Sequence, residues 1–304
     1  MTLDLTIITP VFNGEDYLED TILSVLNKMR KSLKYEYIIV NDGSTDGTSK
    51  ILEKYRSNQI VKVIHQENQG EAAAINVALS SAQGAFATVL SADDPMLTGD
   101  LAVESLLIFR KRKDIVCTYP DWRMIDSKGS VISERHVKDY SEMELIGLFN
   151  CLPGPGAFFR VENARHIGGR RNWKYVSDYD FWLRLSQEGI FFHIPRVLAQ
   201  WRSHENSTSV SMKSLAMGLE RINVIKDFVQ SNELSPEMKR ISLSSAYYYA
   251  SRLGFFSGEV PAKKWLLNSF YLARGWPTVA TPLVVFGVLG LPFTRVFSKM
   301  YVGR

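Results

Sequence analysis

Three short stretches of this 304-residue chain end apolar runs with small, polar or acidic residues. They are Thr9-Pro10-Val11-Phe12-Asn13, Val40-Asn41-Asp42-Gly43-Ser44-Thr45-Asp46 and Leu90-Ser91-Ala92-Asp93-Asp94. In an open α/β sheet, ligands bind outside the carboxyl ends of the strands. Hard oxygen ligands there suit Mg²⁺ or Mn²⁺, and those cations suit a diphosphate. The paired carboxylates Asp93 and Asp94 therefore point to a metal-assisted enzyme acting on a nucleotide diphosphate. A second acidic pair, Asp178 and Asp180, opens a helical run, and His204 follows Trp201-Arg202-Ser203.

Such residues need a scaffold, and the first 120 residues alternate strand and helix. Strands are expected at Leu3 to Thr9, Tyr35 to Val40, Val61 to His65, Phe86 to Leu90 and Ile115 to Tyr119. Between them, Leu18, Ile22, Val25, Leu26 and Met29 repeat at helical spacing behind Asn13, a candidate cap. Further helices are expected near 45–56, 71–81 and 98–113. This rhythm predicts a doubly wound α/β fold with a mostly parallel sheet.

After residue 120 the pattern changes. A hairpin is expected around Asp126-Ser127-Lys128-Gly129. Pro153-Gly154-Pro155-Gly156 reads as a rigid loop feeding a strand at Ala157-Phe158-Phe159. One helix ends at Gly168-Gly169 and another starts near Asp178. Phe191 to Ile194 and Val197 to Arg202 read as two strands. From Met212 onward the pattern is helical, with an antiparallel pair on either side of residues 257–261. The expected division is a domain over 1–210 and a helical extension over 211–304.

Hydrophobic residues make up 45% and charged residues 22% of the chain, which fits a globular protein rather than a disordered one. A net charge of +4 suits an anionic substrate or an anionic membrane surface and is too small to argue for nucleic acid. Cys117 and Cys151 provide no disulfide framework and no metal-ligand spacing. With no export signal at the N-terminus, a cytoplasmic location is expected. Residues 275–294 carry no charge and are flanked by Arg274, Arg295, Lys299 and Arg304. Pro277, Pro282 and Pro292 interrupt them. A surface-lying or re-entrant membrane segment is expected, with a packed helix or a full span as alternatives.

Seven segments in this order resemble the family 2 inverting glycosyltransferases of the GT-A type, in their bacterial cell-surface polysaccharide branch. They are ITPVFNGEDYLEDTILSVL from Ile8, IIVNDGSTDGT from Ile38, ENQGEAAAIN from Glu67, LSADD from Leu90, GPGAFF from Gly154, SDYDFWLRL from Ser177 and WRSH from Trp201. The resemblance covers roughly residues 3 to 206. It implies a GT-A fold and transfer of a sugar from a UDP-sugar, with a dTDP-sugar as second choice. The acceptor would be a hydroxyl of a glycan or lipid-linked glycan at the inner face of the cell membrane.

The resemblance also implies roles for residues. Nucleotide contacts fall on Thr9, Pro10, Val11, Phe12, Asn13, Asp42, Ser91, Ala92 and Asp93, with Asp42 accepting a base N–H. Asp93 takes the second acidic position of the family's Asp-x-Asp motif, and Ser91 replaces the first. Mn²⁺ or Mg²⁺ would be held by Asp93 and His204, with Asp94 nearby. Asp178 would take the acceptor's proton. Gly154, Gly156 and Arg202 would face donor or acceptor. Glu71 and Asn76 stay open between ligand and structural roles, while Asp46 and Asp180 read as helix-start carboxylates. Two rivals remain. A sugar-nucleotide nucleotidyltransferase would need a Gly-rich, basic phosphate loop, which residues 9–13 lack. A non-catalytic scaffold is favoured only by Ser91.

Overall fold

The computed structural model describes residues 3–148, 150–205, 215–257 and 261–273. Segment 275–294 lies outside them. Among the described residues, no helix is long and apolar enough to cross a membrane. The chain divides into two compact units: residues 1–141 with 151–210, and residues 142–150 with 211–304.

The first unit is built on a sheet that holds eight strands among the described residues. They are β1 (Leu3–Val11), β2 (Tyr35–Asp42), β3 (Val61–Gln66), β4 (Gly84–Val89), β5 (Ile115–Ile125), β6 (Val131–Arg135), β7 (Phe158–Arg160) and β8 (Ile190–Arg202). Their order is β3-β2-β1-β4-β7-β5-β6, and β8 pairs with β5. β1 runs parallel to β2 and β4, as do β2 to β3 and β5 to β8. β7 is antiparallel to β4 and β5, and β6 to β5. β1 is buried from Leu5 to Val11, which explains its nearly continuous apolar run.

This order fixes where a ligand can bind. The chain moves outward from β1 to β2 and β3, then returns to place β4 on the other side of β1. The sheet therefore has its switch point between β1 and β4, where a crevice opens beyond the carboxyl ends. The register pairs Ile8 with Val89, so the segments leaving both strands start side by side.

Helices α1 (Leu18–Lys28), α2 (Thr48–Glu53), α3 (Glu71–Ser81), α4 (Asp100–Lys111), α5 (Val161–His166) and α6 (Ser177–Leu185) complete this unit. Leu18, Ile22 and Val25 of α1 join Leu101, Leu106 and Phe109 of α4 in the main core. Phe86 stacks on Phe109 at 4.6 Å, and the Arg160 guanidinium lies over both rings. In α6, Phe181, Trp182, Leu183 and Leu185 are buried, and Trp182 meets Phe159, Phe181 and Phe191 edge to face.

Two local expectations differ from the structure. Asn13 does not cap α1, which starts at Leu18 with no side-chain cap. Its Oδ1 instead accepts the Thr45 N–H at 2.8 Å. The two strands expected between 191 and 202 form one, β8, because the break at Pro195 is absorbed by register irregularities against β5 around Pro120–Trp122.

The second unit holds a π-helical turn (Met143–Gly147) and helices α7 (Leu215–Ser231), α8 (Pro236–Ser257) and α9 (Pro261–Ala273). Arg240 donates to the Leu272 carbonyl and Ser244 to the Ser269 carbonyl. The partner numbers fall as the first rise, so α8 and α9 are antiparallel. Gly218 of α7 meets α8 closely: a Cβ there would lie 3.1 Å from the Ala250 backbone.

Candidate functional site

The turn leaving β1 is laced to the turn leaving β2. Asn13 takes φ +53°, unusual for a side-chain-bearing residue. Its N–H donates to Ser44 Oγ, the Gly14 N–H to Thr48 Oγ1, and the Glu15 N–H to Asp46 Oδ2. Asp46 also accepts from the Thr48 N–H and hydroxyl, at the entry to α2. Behind this turn, Thr9 is fully buried, its hydroxyl bonded to the Leu90 carbonyl at 2.7 Å and to the Tyr37 hydroxyl. The buried Asp42 carboxylate accepts from Gln66 Nε2 and from the N–H groups of Gln69 and Gly70, all within 2.8 Å. It thereby holds the segment entering α3.

Beyond β4 the two halves of the sequence meet. His204 Nε2 lies 2.8 Å from Asp93 Oδ2. The Tyr17 ring packs on the His204 ring at 4.8 Å, and the Arg202 guanidinium carbon also lies 4.8 Å from the Tyr17 ring. Arg202 is 4% exposed and is spent on the protein. It donates to the main-chain carbonyls of Asp93 and Ser127 and to the Asp20 carboxylate. Its own N–H donates to Asp94 Oδ1 at 2.7 Å. Burial, then the Asp93 charge, pushes the Asp94 carboxyl well up, against the lowering by the Arg202 N–H and Ser91. The result is a rigid seat under Asp93.

One cavity of about 680 Å³ occupies the crevice, entirely within the first unit. Pro10, Val11, Phe12 and Asn13 line it from β1, and Ser91, Ala92, Asp93 and Asp94 from β4. His204 joins from the end of β8, Asp178 from the first turn of α6, and Gly154 and Gly156 from the loop before β7. Thr9, Asp42 and Arg202 stand behind this wall. Phe12 is 51% exposed, so an apolar face looks outward. Gly156 has φ +78°, and a Cβ there would sit 2.6 Å from Ala199 Cβ. Only glycine fits that approach. Asp178 is exposed, and its Oδ1 accepts the Tyr179 N–H.

Asp180, two residues on, is buried and paired with Arg184 at 2.6 Å. Arg184 also donates to the carbonyls of Ile167 and Gly169, so this pair fastens α6 to the loop behind it. Trp182 lines the cavity while buried in the aromatic cluster. Asn76 bonds the Arg170 backbone in both directions, whereas Glu71 reaches the cavity wall. Sequence reasoning missed Arg170, Lys174 and Tyr175, which also line it. The basic run after Gly168-Gly169 was the available signal.

Residues 6–168 match the family profile described as Glycosyl transferase family 2. This chain belongs to the family 2 glycosyltransferases. Among the family's members, TuaG of Bacillus subtilis, described as a putative teichuronic acid biosynthesis glycosyltransferase, is 34% identical over 212 residues. Those residues are 67% of this chain and 81% of TuaG. Chondroitin synthase of Escherichia coli is 32% identical over 68% of this chain, and hyaluronan synthase of Pasteurella multocida 29% over 72%. The match spans only 30% and 22% of those two synthases. Among solved structures, S. aureus TarS in complex with UDP-GlcNAc aligns with a TM-score of 0.70 at 18% identity, over 93% of this chain and 84% of TarS. That likeness shows the fold, and the fold is the GT-A type expected from the sequence. The glycosyltransferase is thus an α/β enzyme with its crevice at the β1/β4 switch point.

Proposed function

We propose that this glycosyltransferase moves a sugar from a UDP-sugar, with a dTDP-sugar as second choice, onto a hydroxyl of a glycan or lipid-linked glycan in surface polysaccharide synthesis, with inversion. One observation carries the reading. The Asp93–His204 pair and Asp178, which belong to distant segments, line the same cavity at the switch point.

Each wall has a task. Phe12 offers an apolar face to the base, beside Pro10 and Asn13. Asp42 supports that wall from behind through the Gln69 and Gly70 N–H groups. Asp178 accepts the proton of the acceptor hydroxyl as its oxygen attacks the anomeric carbon and the bond to the leaving diphosphate breaks. Gly154 and Gly156 let the backbone come close to the sugars.

The donor set at the other wall fits a divalent cation. Asp93 and His204 offer one carboxylate and one imidazole that already converge and face the cavity. A diphosphate would complete the shell. Among the described residues there is no cluster of three or more His, Cys, Asp or Glu ligands, because Asp94 turns to the Arg202 N–H instead. When bound, Mn²⁺ or Mg²⁺ would neutralise charge on the leaving group as a Lewis acid. The names of TuaG and the two synthases support the polysaccharide reading. The uncharged segment 275–294 with its basic flanks supports work at the cytoplasmic membrane face.

UDP release, measured over a panel of UDP- and dTDP-sugars with glycan acceptors and with or without Mn²⁺, tests this. Acceptor-dependent release that needs the cation is expected. Diphosphate release from a nucleoside triphosphate would replace the proposal with a nucleotidyltransferase.

A further inference from the structure

Arg170 stands apart from Arg160, Arg184 and Arg202, the other inward-turned arginines of the first unit. Arg160 donates to the carbonyls of Phe109, Arg112 and Ile115. Arg184 is saturated by Asp180 and two carbonyls, and Arg202 by two carbonyls and Asp20. The Arg170 side chain is only 10% exposed, yet among the described residues its guanidinium has no hydrogen-bond acceptor. It forms a long ion pair, 3.7 Å, with Glu71, whose side chain is 64% exposed. Its other neighbour is the Phe181 ring, 6.0 Å from the guanidinium carbon.

The backbone at this point is held rigidly. The Arg170 N–H donates to Asn76 Oδ1 at 2.8 Å, and its carbonyl accepts from Asn76 Nδ2 at 2.7 Å. Gly169, at φ +68°, leaves the space that Asn76 occupies: a Cβ there would lie 2.3 Å from Asn76 Oδ1. The fold thus fixes a charged fork on the wall of the cavity that Asp178 and Lys174 also line. Among the described residues its charge is met by one long ion pair to an exposed glutamate, which leaves the hydrogen-bonding positions of the fork to an oxyanion in the cavity. Its planar fork matches two oxygens of a carboxylate or phosphate.

We propose that Arg170 binds an oxyanion carried by the nucleotide-sugar donor and so sets donor affinity or choice. This rests on the reading of the cavity as a nucleotide-sugar site. Two sources share the chemistry: the donor's diphosphate, and a carboxylate on its sugar. Arg170→Gln removes the charge. Arg170→Lys keeps the charge and the stem over Phe181 but loses the fork.

Calorimetric titration of the full chain, with Mn²⁺ present, would use UDP, a neutral UDP-hexose and a UDP-uronate. Thermal melts would confirm that both variants fold. If the diphosphate is the partner, Arg170→Gln weakens all three probes at least tenfold, with Arg170→Lys in between. If the sugar carboxylate is the partner, UDP and the neutral donor bind as before and only the UDP-uronate loses tenfold or more. Wild-type binding with less than twofold change for every probe in both variants overturns the role of Arg170 alone. A wild-type chain that binds none of the probes overturns the nucleotide-sugar reading, and this inference with it.

Discussion

Asp93 Oδ2 and His204 Nε2, 111 residues apart in sequence, lie 2.8 Å from each other at the mouth of the β1/β4 crevice. Neither side chain is placed by its own loop alone. Arg202 bonds the Asp93 carbonyl and the Asp94 carboxylate, and Tyr17 packs between Arg202 and His204. This arrangement predicts that either partner is required for cation-dependent turnover. His204→Ala and Asp93→Asn should each raise the Mn²⁺ concentration needed for half-maximal UDP release by about tenfold or more, as loss of a group at a metal site typically does. An unchanged metal titration curve in both variants would separate this pair from the cation.

Asp180 and Arg184 form a pair whose side chains are 4% and 11% exposed. Removing one partner of a buried pair typically costs about 3 to 5 kcal/mol. Asp180→Ala should destabilise the fold by about that amount in urea unfolding, because Arg184 stays buried beside its carbonyl acceptors. Asp178→Ala, on the exposed side of the same helix turn, should change stability far less. The contrast distinguishes a fastening carboxylate from a working one.

Gly156 combines φ +78° with a tight neighbour: the methyl group that alanine would add there lies 2.6 Å from Ala199 Cβ. Left-handed backbone strain costs about 1 to 3 kcal/mol and overpacking a similar amount. Gly156→Ala should therefore lower stability by about 2 to 6 kcal/mol. Because the loop lines the cavity, it should also lower kcat/KM more than nucleotide affinity. Equal stability and activity to the parent would show that the loop has room to give.

The pH profile of stability should have two flanks set by one cluster. Burial opposes ionisation of Asp121, but hydrogen bonds from His136, the Val137 N–H and His193 together hold its carboxyl below the usual range. That contribution is present above the unfolded value of about 3.9 and is lost as pH falls through the folded one. The hydrogen bond and charge of Asp121 raise the His136 imidazole. Its contribution is complete below the unfolded value of about 6.5 and is lost as pH rises through the raised one. His136→Gln should reduce the urea midpoint near about pH 5.5 and leave it close to the parent near about pH 8.5. A deficit of equal size at both pH values would remove the protonated imidazole from the account.

Much of this was legible in the residues, for identifiable reasons. The strand ends at Asn13, Asp42 and Asp93 were readable because continuous apolar runs stop there, and β1, β2 and β4 do run parallel. The convergence of Asp93 with His204 followed from the ordered motifs rather than from any local spacing. What stayed hidden depends on burial and long-range partners. Nothing in the run Val40 to Asp46 shows that the Asp42 carboxylate is taken up by Gln66, Gln69 and Gly70. Nothing in Trp201-Arg202-Ser203 shows a guanidinium turned inward to Asp20 and Ser127. Asn13 carried a helix-cap residue type, yet its backbone conformation aims the amide at Thr45. Arg170 stayed hidden because its surroundings come from distant parts of the sequence: Glu71, Phe181 and, 94 residues away, Asn76.

Asp178 is proposed to remove the acceptor's proton in the cavity that it lines with Asp93 and His204. Asp178→Asn tests it when acceptor-dependent UDP release and UDP affinity are measured side by side on the same preparation. A fall in kcat of about 10² to 10⁴ is expected, typical for a lost general base, with UDP affinity within about twofold of the parent. Parent-level turnover in the folded variant would contradict it.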